Sequence, residues 1–166
     1  MSPSFIVDTW RIWEWLITIA LRVGLGNRLR VIPQATIQWG VKKLNGKSYH
    51  FNVFPDVAIY NLTDSAVPIF LVDAKYKVLT ESTEIERADL YEAFAFCHAT
   101  GAKKLFLAYP TIAEGEIKSG NITNVSNYEI EDVTISAIQV AFGFVLISRR
   151  TRRSDCYQPQ VFVFSS

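Results

Sequence analysis

The residues with the clearest capacity for chemistry are two acids and a lysine. Pro55-Asp56 is followed seventeen positions later by Asp73-Ala74-Lys75, and each acid is flanked by apolar residues. Side chains alternate along a strand, so Ile69, Leu71, Asp73 and Lys75 share one face and Phe70, Val72, Ala74 and Tyr76 the other. If Asp56 lies on a neighbouring strand, its carboxylate can sit beside that of Asp73, and two such groups repel unless a cation lies between them. A hard divalent cation such as magnesium suits that position because it prefers carboxylate, carbonyl and water oxygens. An ammonium held nearby, that of Lys75, could orient an attacking water or stabilise charge on a phosphoryl oxygen. The set suits phosphodiester hydrolysis. A buried carboxylate and lysine pair, or strand-end charges reaching solvent, would use the same residues without chemistry.

Two further acids are isolated in apolar helical stretches. Glu14 has Trp10, Ile17, Thr18 and Leu21 at helical spacing, which puts it on a face expected to pack inward; a salt bridge to Arg11 is the alternative. Glu92, within Leu90 to Phe96, could hold Lys75 or a metal-bound water, or could lie on a solvated stripe. Phosphate contacts could come from Lys42, Lys43 and Lys47 and from Arg149, Arg150, Arg152 and Arg153. Solvated hairpin tips would account for both groups. Trp10, Trp13, Trp15 and Trp39 read as core or interface aromatics rather than base-stacking platforms. His50 and His98 have no Cys or His partner at metal-ligand spacing and read as structural.

The elements that would position these groups follow from hydrophobic spacing. Trp10, Trp13, Ile17, Ala20 and Leu21 predict an opening helix stopped by Gly24 and Gly26. Residues 35–41 and 48–60 predict antiparallel strands joined at Asn45-Gly46, and 67–76 predicts a third. A helix over 85–99 closes at Gly101, and a strand over 103–109 ends at Pro110. The polar stretch after it, with Gly115, Gly120 and three asparagines, reads as loop, and 133–148 and 161–164 read as strands. The order is helix, three-strand meander, helix, strand, then a C-terminal β extension, in a mixed α/β or α+β domain.

Length and composition bound the rest. The 166 residues have room for one core, and 49% hydrophobic with 20% charged residues excludes intrinsic disorder. One domain is expected over 1–166, with its core at about 5–110 and the extension at about 111–166. Two cysteines, Cys97 and Cys156, are too few for a disulfide scaffold, so a cytoplasmic setting is expected. Trp10 to Val23 is interrupted by Arg11, Glu14 and Arg22, whereas a membrane span needs about 20 nearly uncharged residues. No membrane association is expected. The net charge of +1 conceals a polarised chain: Trp15 to Pro55 holds no Asp or Glu against six Lys and Arg. Such a local basic surface is what phosphate binding needs.

Taken together, Pro55-Asp56, Leu71 to Lys77 (LVDAKYK), Asp89 to Glu92 (DLYE) and Leu105 to Pro110 (LFLAYP) resemble the PD-(D/E)xK nuclease domain of McrC-like restriction proteins, over roughly Trp10 to Pro110. The resemblance implies a restriction-endonuclease-like core and a magnesium-dependent DNA cleavage site, which maps onto Asp56, Asp73, Lys75 and Glu14. The expected catalytic set is therefore these four with Glu92. The expected metal ligands are Asp56, Asp73, Ala74 and Glu14, for magnesium or manganese. The implied activity is that of an endonuclease in restriction, defence or repair, with DNA as partner. A catalytically inactive module for nucleic-acid binding or assembly is the alternative, and a homodimer through the aromatic first helix is open. Where the family has Gln, three residues and Tyr in the second helix, this chain has Glu92 and Phe96. McrC proteins also carry a long N-terminal part that engages a GTP-hydrolysing motor, whereas here the nuclease helix begins almost at Met1, which makes a motor-subunit partner doubtful.

Overall fold

The computed structural model describes residues 8–64, 66–77, 79, 85–112 and 121–142. Helix α1 (Thr9–Leu25) is followed by a short 3-10 turn and by strands β1 (Leu29–Pro33), β2 (Ile37–Leu44), β3 (Lys47–Val53), β4 (Val57–Asn61) and β5 (Phe70–Ala74). Helix α2 (Arg87–Thr100) then leads to β6 (Lys104–Ile112), β7 (Ile122–Ile130) and β8 (Val133–Phe142). Six strands form one sheet in the order β1-β4-β5-β6-β8-β7, while β2 and β3 pair only with each other. The β1, β4 and β5 run is antiparallel and β6 is parallel to β5, with α2 in the crossover. This mixed α+β arrangement fits a restriction-endonuclease-like core.

Strand alternation assigns the two faces of the sheet. Val57, Ile59, Val72 and Ala108 pack with Trp13 and Ile17 of α1. Ala58, Leu71, Leu105 and Leu107 pack with Ala93, Phe96 and Cys97 of α2. Each helix ends where a glycine takes a positive φ, Gly26 after α1 and Gly101 after α2, a backbone state that costs other residues a steric clash. Asn45 and Gly46 both have positive φ, as a tight turn matching strand twist requires.

Trp13 fixes α1 on the sheet. It is 3% exposed, and its indole Nε1 donates to the Ala108 carbonyl at 3.0 Å. Trp13→Phe should lower unfolding stability by about 1–3 kcal/mol through the lost hydrogen bond and an imperfectly filled space, measured by urea denaturation. The other helix tryptophans differ. Trp10 and Trp15 are exposed, so they do not belong to the core of this chain.

Several expectations are corrected. The strand expected over 48–60 is two strands, because Pro55 lacks an amide donor and the chain bends at Asp56 before β4. The three-strand meander is therefore β1, β4 and β5, with the β2–β3 hairpin inserted. Strand β1 was not expected: it is short, carries Arg30 and ends at Pro33, features that suit an edge strand. The stretch expected as loop contains β7, whose asparagines are tolerated because it lies on the other edge and pairs along β8. Strands β7 and β8 continue the sheet of the preceding elements, β8 lying parallel to β6. The strand expected at 161–164 lies outside the described residues, as do Arg149, Arg150, Arg152 and Arg153. Among the described residues no helix is long and apolar enough to cross a membrane.

Candidate active site

Two antiparallel strands bring the acids together. Val57 on β4 faces Val72 on β5, so the next step of the register sets Asp56 against Asp73. The backbone holds Asp56 on both sides: its carboxylate Oδ2 accepts the Ala74 amide at 2.7 Å, and its carbonyl accepts the Gln34 amide at 2.6 Å. The two carboxylates stand close enough to shift each other's titration. Asp73 is 6% exposed.

Lys75 completes the cluster. Its Nζ lies 2.7 Å from Asp73 Oδ2, 2.6 Å from Glu92 Oε2 and 3.8 Å from Asp89 Oδ1. The contact with Glu92 is a well-directed hydrogen bond. The contact with Asp73 is an ion pair of poor angle, so among the described residues Asp73 Oδ2 is buried without a hydrogen-bond partner. That oxygen is thus compensated by a close cation but by no well-directed hydrogen bond, which leaves it lone-pair capacity for a further ligand.

The electrostatics follow from burial and crowding. Burial pushes the Asp73 carboxyl up to about 7, opposed by Lys75 and reinforced by Asp56. Burial also raises Asp56, opposed by the Ala74 amide. Burial alone would lower the Lys75 ammonium, yet Asp73 and Glu92 overcome it and hold the group above its ordinary value. Lys75 is therefore a permanent cation beside carboxylates that resist ionising. Cys97 is buried, its thiol pushed up to about 11, which removes it as a nucleophile.

Glu14 approaches from α1. It is half-buried and hydrogen-bonded to Gln34, and burial raises its carboxyl, with Asp73 adding to the rise. Arg11 forms its ion pair with Asp8 at 3.7 Å, so the Glu14–Arg11 salt bridge is not the arrangement seen. Glu14 instead lines a cleft of about 240 Å³ with Thr18, Arg22, Gln34 and Asp56. A wider open depression, about 600 Å³, has Arg22, Asn27 and Arg30 in its wall but none of the carboxylates. Of the two, only the smaller cleft is lined by carboxylates, those of Glu14 and Asp56, and neither Asp73 nor Lys75 lines it.

Four residues join the cluster that are not among the expected site residues. Gln34, at positive φ, ties Glu14 to the Asp56 loop. Asp89 is buried, accepts the Tyr109 hydroxyl at 3.1 Å and receives Lys77 Nζ at 2.6 Å. Lys77 also reaches Glu86 at 2.9 Å. The pattern LVDAKYK offered one signal for Lys77, which repeats the facing parity of Asp73 and Lys75. Nothing local marks Gln34 or Tyr109.

The metal ligands expected were Asp56, Asp73, Ala74 and Glu14. Asp56 lies beside Asp73 and accepts the Ala74 amide, and Glu14 shares with Asp56 a cleft that Asp73 and Ala74 do not line. Among the described residues no three Asp, Glu, His or Cys side chains gather closely enough to form a cage by themselves. Two carboxylates with a buried, unsatisfied oxygen still fit magnesium, which usually keeps several waters and takes only one or two protein carboxylates. Lys42, Lys43 and Lys47 stand exposed on the β2–β3 hairpin, away from this cluster in the chain but joined to it through Phe54 and Pro55.

Comparison with known proteins bears on the family and the fold. Residues 1–110 match the family model described as McrBC 5-methylcytosine restriction system component. The chain belongs to this family. It also resembles, with a TM-score of 0.54 and 13% identity, a chain of the Thermococcus gammatolerans assembly of McrB AAA+ hexamers with bound McrC. That match covers 90% of this chain and 31% of the other, so this chain spans about a third of that neighbour's length. No curated protein matches. At that identity the likeness speaks for the fold. The neighbour itself is part of an assembly that contains AAA+ hexamers. At the two second-helix positions noted in the sequence, Glu92 pairs with Lys75 and Phe96 packs in the core.

Glu92→Gln should leave an acceptor for Lys75 while removing one negative charge. The Lys75 ammonium should then titrate at lower pH, seen as faster acylation of Lys75 by a lysine reagent at pH 9, read by mass spectrometry.

Proposed function

We propose that the chain is a metal-dependent deoxyribonuclease of a McrBC-type restriction system, hydrolysing phosphodiester bonds with Asp56, Asp73 and Lys75 at the reacting centre. The observation that carries the reading is the convergence of a paired-carboxylate register and a charged lysine on one sheet face, in a chain of a restriction family. Asp56, Asp73 and the Ala74 carbonyl would hold magnesium or manganese, with Glu14 reaching it across the cleft. Bound there, the cation would supply Lewis acidity to the phosphate and to the attacking water.

The chain's own residues do the remaining work. Asp73, whose carboxyl burial raises, would release its proton to hold a cation. Lys75, fixed by Glu92, presents a positive charge where a phosphoryl oxygen gains negative charge, an interaction stronger in the transition state than in the ground state. Asp89, held by Tyr109 and Lys77, keeps the base of α2 in place behind Lys75. The Arg22 side of the cleft offers a cationic wall for the phosphate backbone. By likeness to the neighbour, a AAA+ motor subunit is a partner to test alongside DNA.

The deciding experiment incubates purified protein with supercoiled plasmid and with single-stranded DNA in magnesium, manganese or EDTA, with and without a cognate motor subunit. Cleavage that depends on the metal supports the reading. DNA binding without cleavage under every condition would assign the chain instead to the inactive, binding-module class.

A further inference from the structure

The β2–β3 hairpin carries aromatic and cationic side chains into solvent on the same face. The register pairs Ile37 with Val53, Gly40 with Phe51, Lys42 with Tyr49 and Leu44 with Lys47, and these pairs alternate onto one side of the hairpin. At the base, Ile37 and Val53 pack into the α2-side core, the side on which Leu71, Asp73 and Lys75 lie. Farther out the same face leaves the core: Tyr49 is 49% and Phe51 51% exposed. Trp39, at the β-bulge, is 42% exposed and its ring centroid lies 5.5 Å from that of Phe51, with the planes tilted by 34°. Large rings held in solvent are unfavourable unless something covers them.

The chemistry of the face selects the occupant. Lys42 and Lys47 alternate with the rings, and no acid occurs between Trp15 and Pro55 to neutralise them. A protein partner would have to bury those lysines, which are depleted at interface cores. A duplex would satisfy the lysines, but its bases already stack on one another and offer no face to the rings. Unpaired bases offer a π-face to each ring and a phosphate to each lysine, the combination found in single-strand binders. Val53, where the face enters the core, is three residues before Asp56.

We propose that this face of the hairpin binds single-stranded nucleic acid, with bases stacked on Tyr49 and on the Phe51–Trp39 pair and phosphates on Lys42 and Lys47. The strand is thereby led toward Asp56 and Asp73, a consequence that rests on the nuclease reading, whereas the binding itself does not.

Fluorescence anisotropy of the whole chain in EDTA, with labelled oligothymidylate and a duplex of equal length, tests binding without cleavage. Tyr49→Ala and Phe51→Ala should each weaken oligothymidylate binding roughly 5- to 150-fold, with the salt slope unchanged and duplex affinity little altered. Lys42→Gln and Lys47→Gln should each reduce the single-strand salt slope by about 0.7. Tyr49→Leu and Phe51→Leu, which retain apolar bulk but lose the ring, should show the same loss and keep the test valid if the alanine variants unfold. Folded ring variants that bind oligothymidylate like the wild type would overturn the proposal, as would a Phe51-dependent dimer that fails to bind it. Strand binding that follows this pattern in a protein with no metal-dependent cleavage would support the hairpin site and sink the nuclease reading alone.

Discussion

Asp73→Ala is expected to abolish metal-dependent cleavage of DNA, whereas Lys75→Ala is expected to keep metal binding and slow cleavage roughly 100- to 1000-fold. The difference follows from where the two side chains stand. Asp73 supplies the buried oxygen that lacks a hydrogen-bond partner, so removing it deletes a ligand and leaves Asp56 to hold a divalent cation nearly alone. Lys75 donates to Glu92 and approaches Asp73, but an ammonium is not a ligand, and its loss leaves both carboxylates in place. Without that cation beside them the carboxylates repel each other more strongly, which favours a divalent metal between them. Isothermal titration with magnesium and manganese, run beside single-turnover cleavage, separates the two effects. Wild-type cleavage by Lys75→Ala, together with normal metal binding by Asp73→Ala, would show that this cluster is not the active centre. DNA affinity should change little in either variant, because the acid-free segment from Trp15 to Pro55 is untouched.

How much of this was legible in the sequence depends on how local each determinant is. The helix stops at Gly26 and Gly101 and the Asn45-Gly46 turn are set by backbone conformations few residues adopt, so they were visible without tertiary information. The facing of Asp73 and Lys75 needed only strand parity, and Asp56 needed only a neighbouring strand. Strands β1 and β7 were not legible because edge strands carry polar residues and are held by pairing with a partner distant in sequence. The same limit hid part of the site. Tyr109 meets Asp89 only because β6 returns beside β5 under α2, and Gln34 meets Glu14 only because β1 folds back against β4. Trp39 reads as a core or interface aromatic because its type favours burial, and the structure leaves it 42% exposed on the hairpin, outside both core clusters.

Asp73→Asn should make the metal-free protein more stable than the wild type at pH 8 and of similar stability at pH 4. The Asp73 carboxyl is raised to about 7 from an ordinary 3.8, so the folded protein holds this proton more tightly than the unfolded chain. That contribution is fully present below the unfolded value and is lost as pH rises through about 7, with a slope of up to about 1.4 kcal/mol per pH unit. Asparagine resembles the protonated acid in shape and charge at every pH, so the variant should not pay this loss, and the gain at pH 8 should exceed about 1 kcal/mol. Magnesium should reverse the order. A cation that binds the folded wild type adds stability as its concentration passes the dissociation constant, and the variant, with one anionic ligand removed, should gain far less. Thermal melts at pH 4, 6 and 8, each with EDTA or magnesium, measure all of this without any turnover. Cleavage by the wild type should fall as pH drops below about 7, since protons and metal compete for the same oxygen. A wild type that stays more stable than Asp73→Asn at pH 8 in EDTA would mean that Lys75 fully compensates the buried charge. The carboxylate would then be a structural ion-pair partner, and the site would have no electrostatic need for a metal.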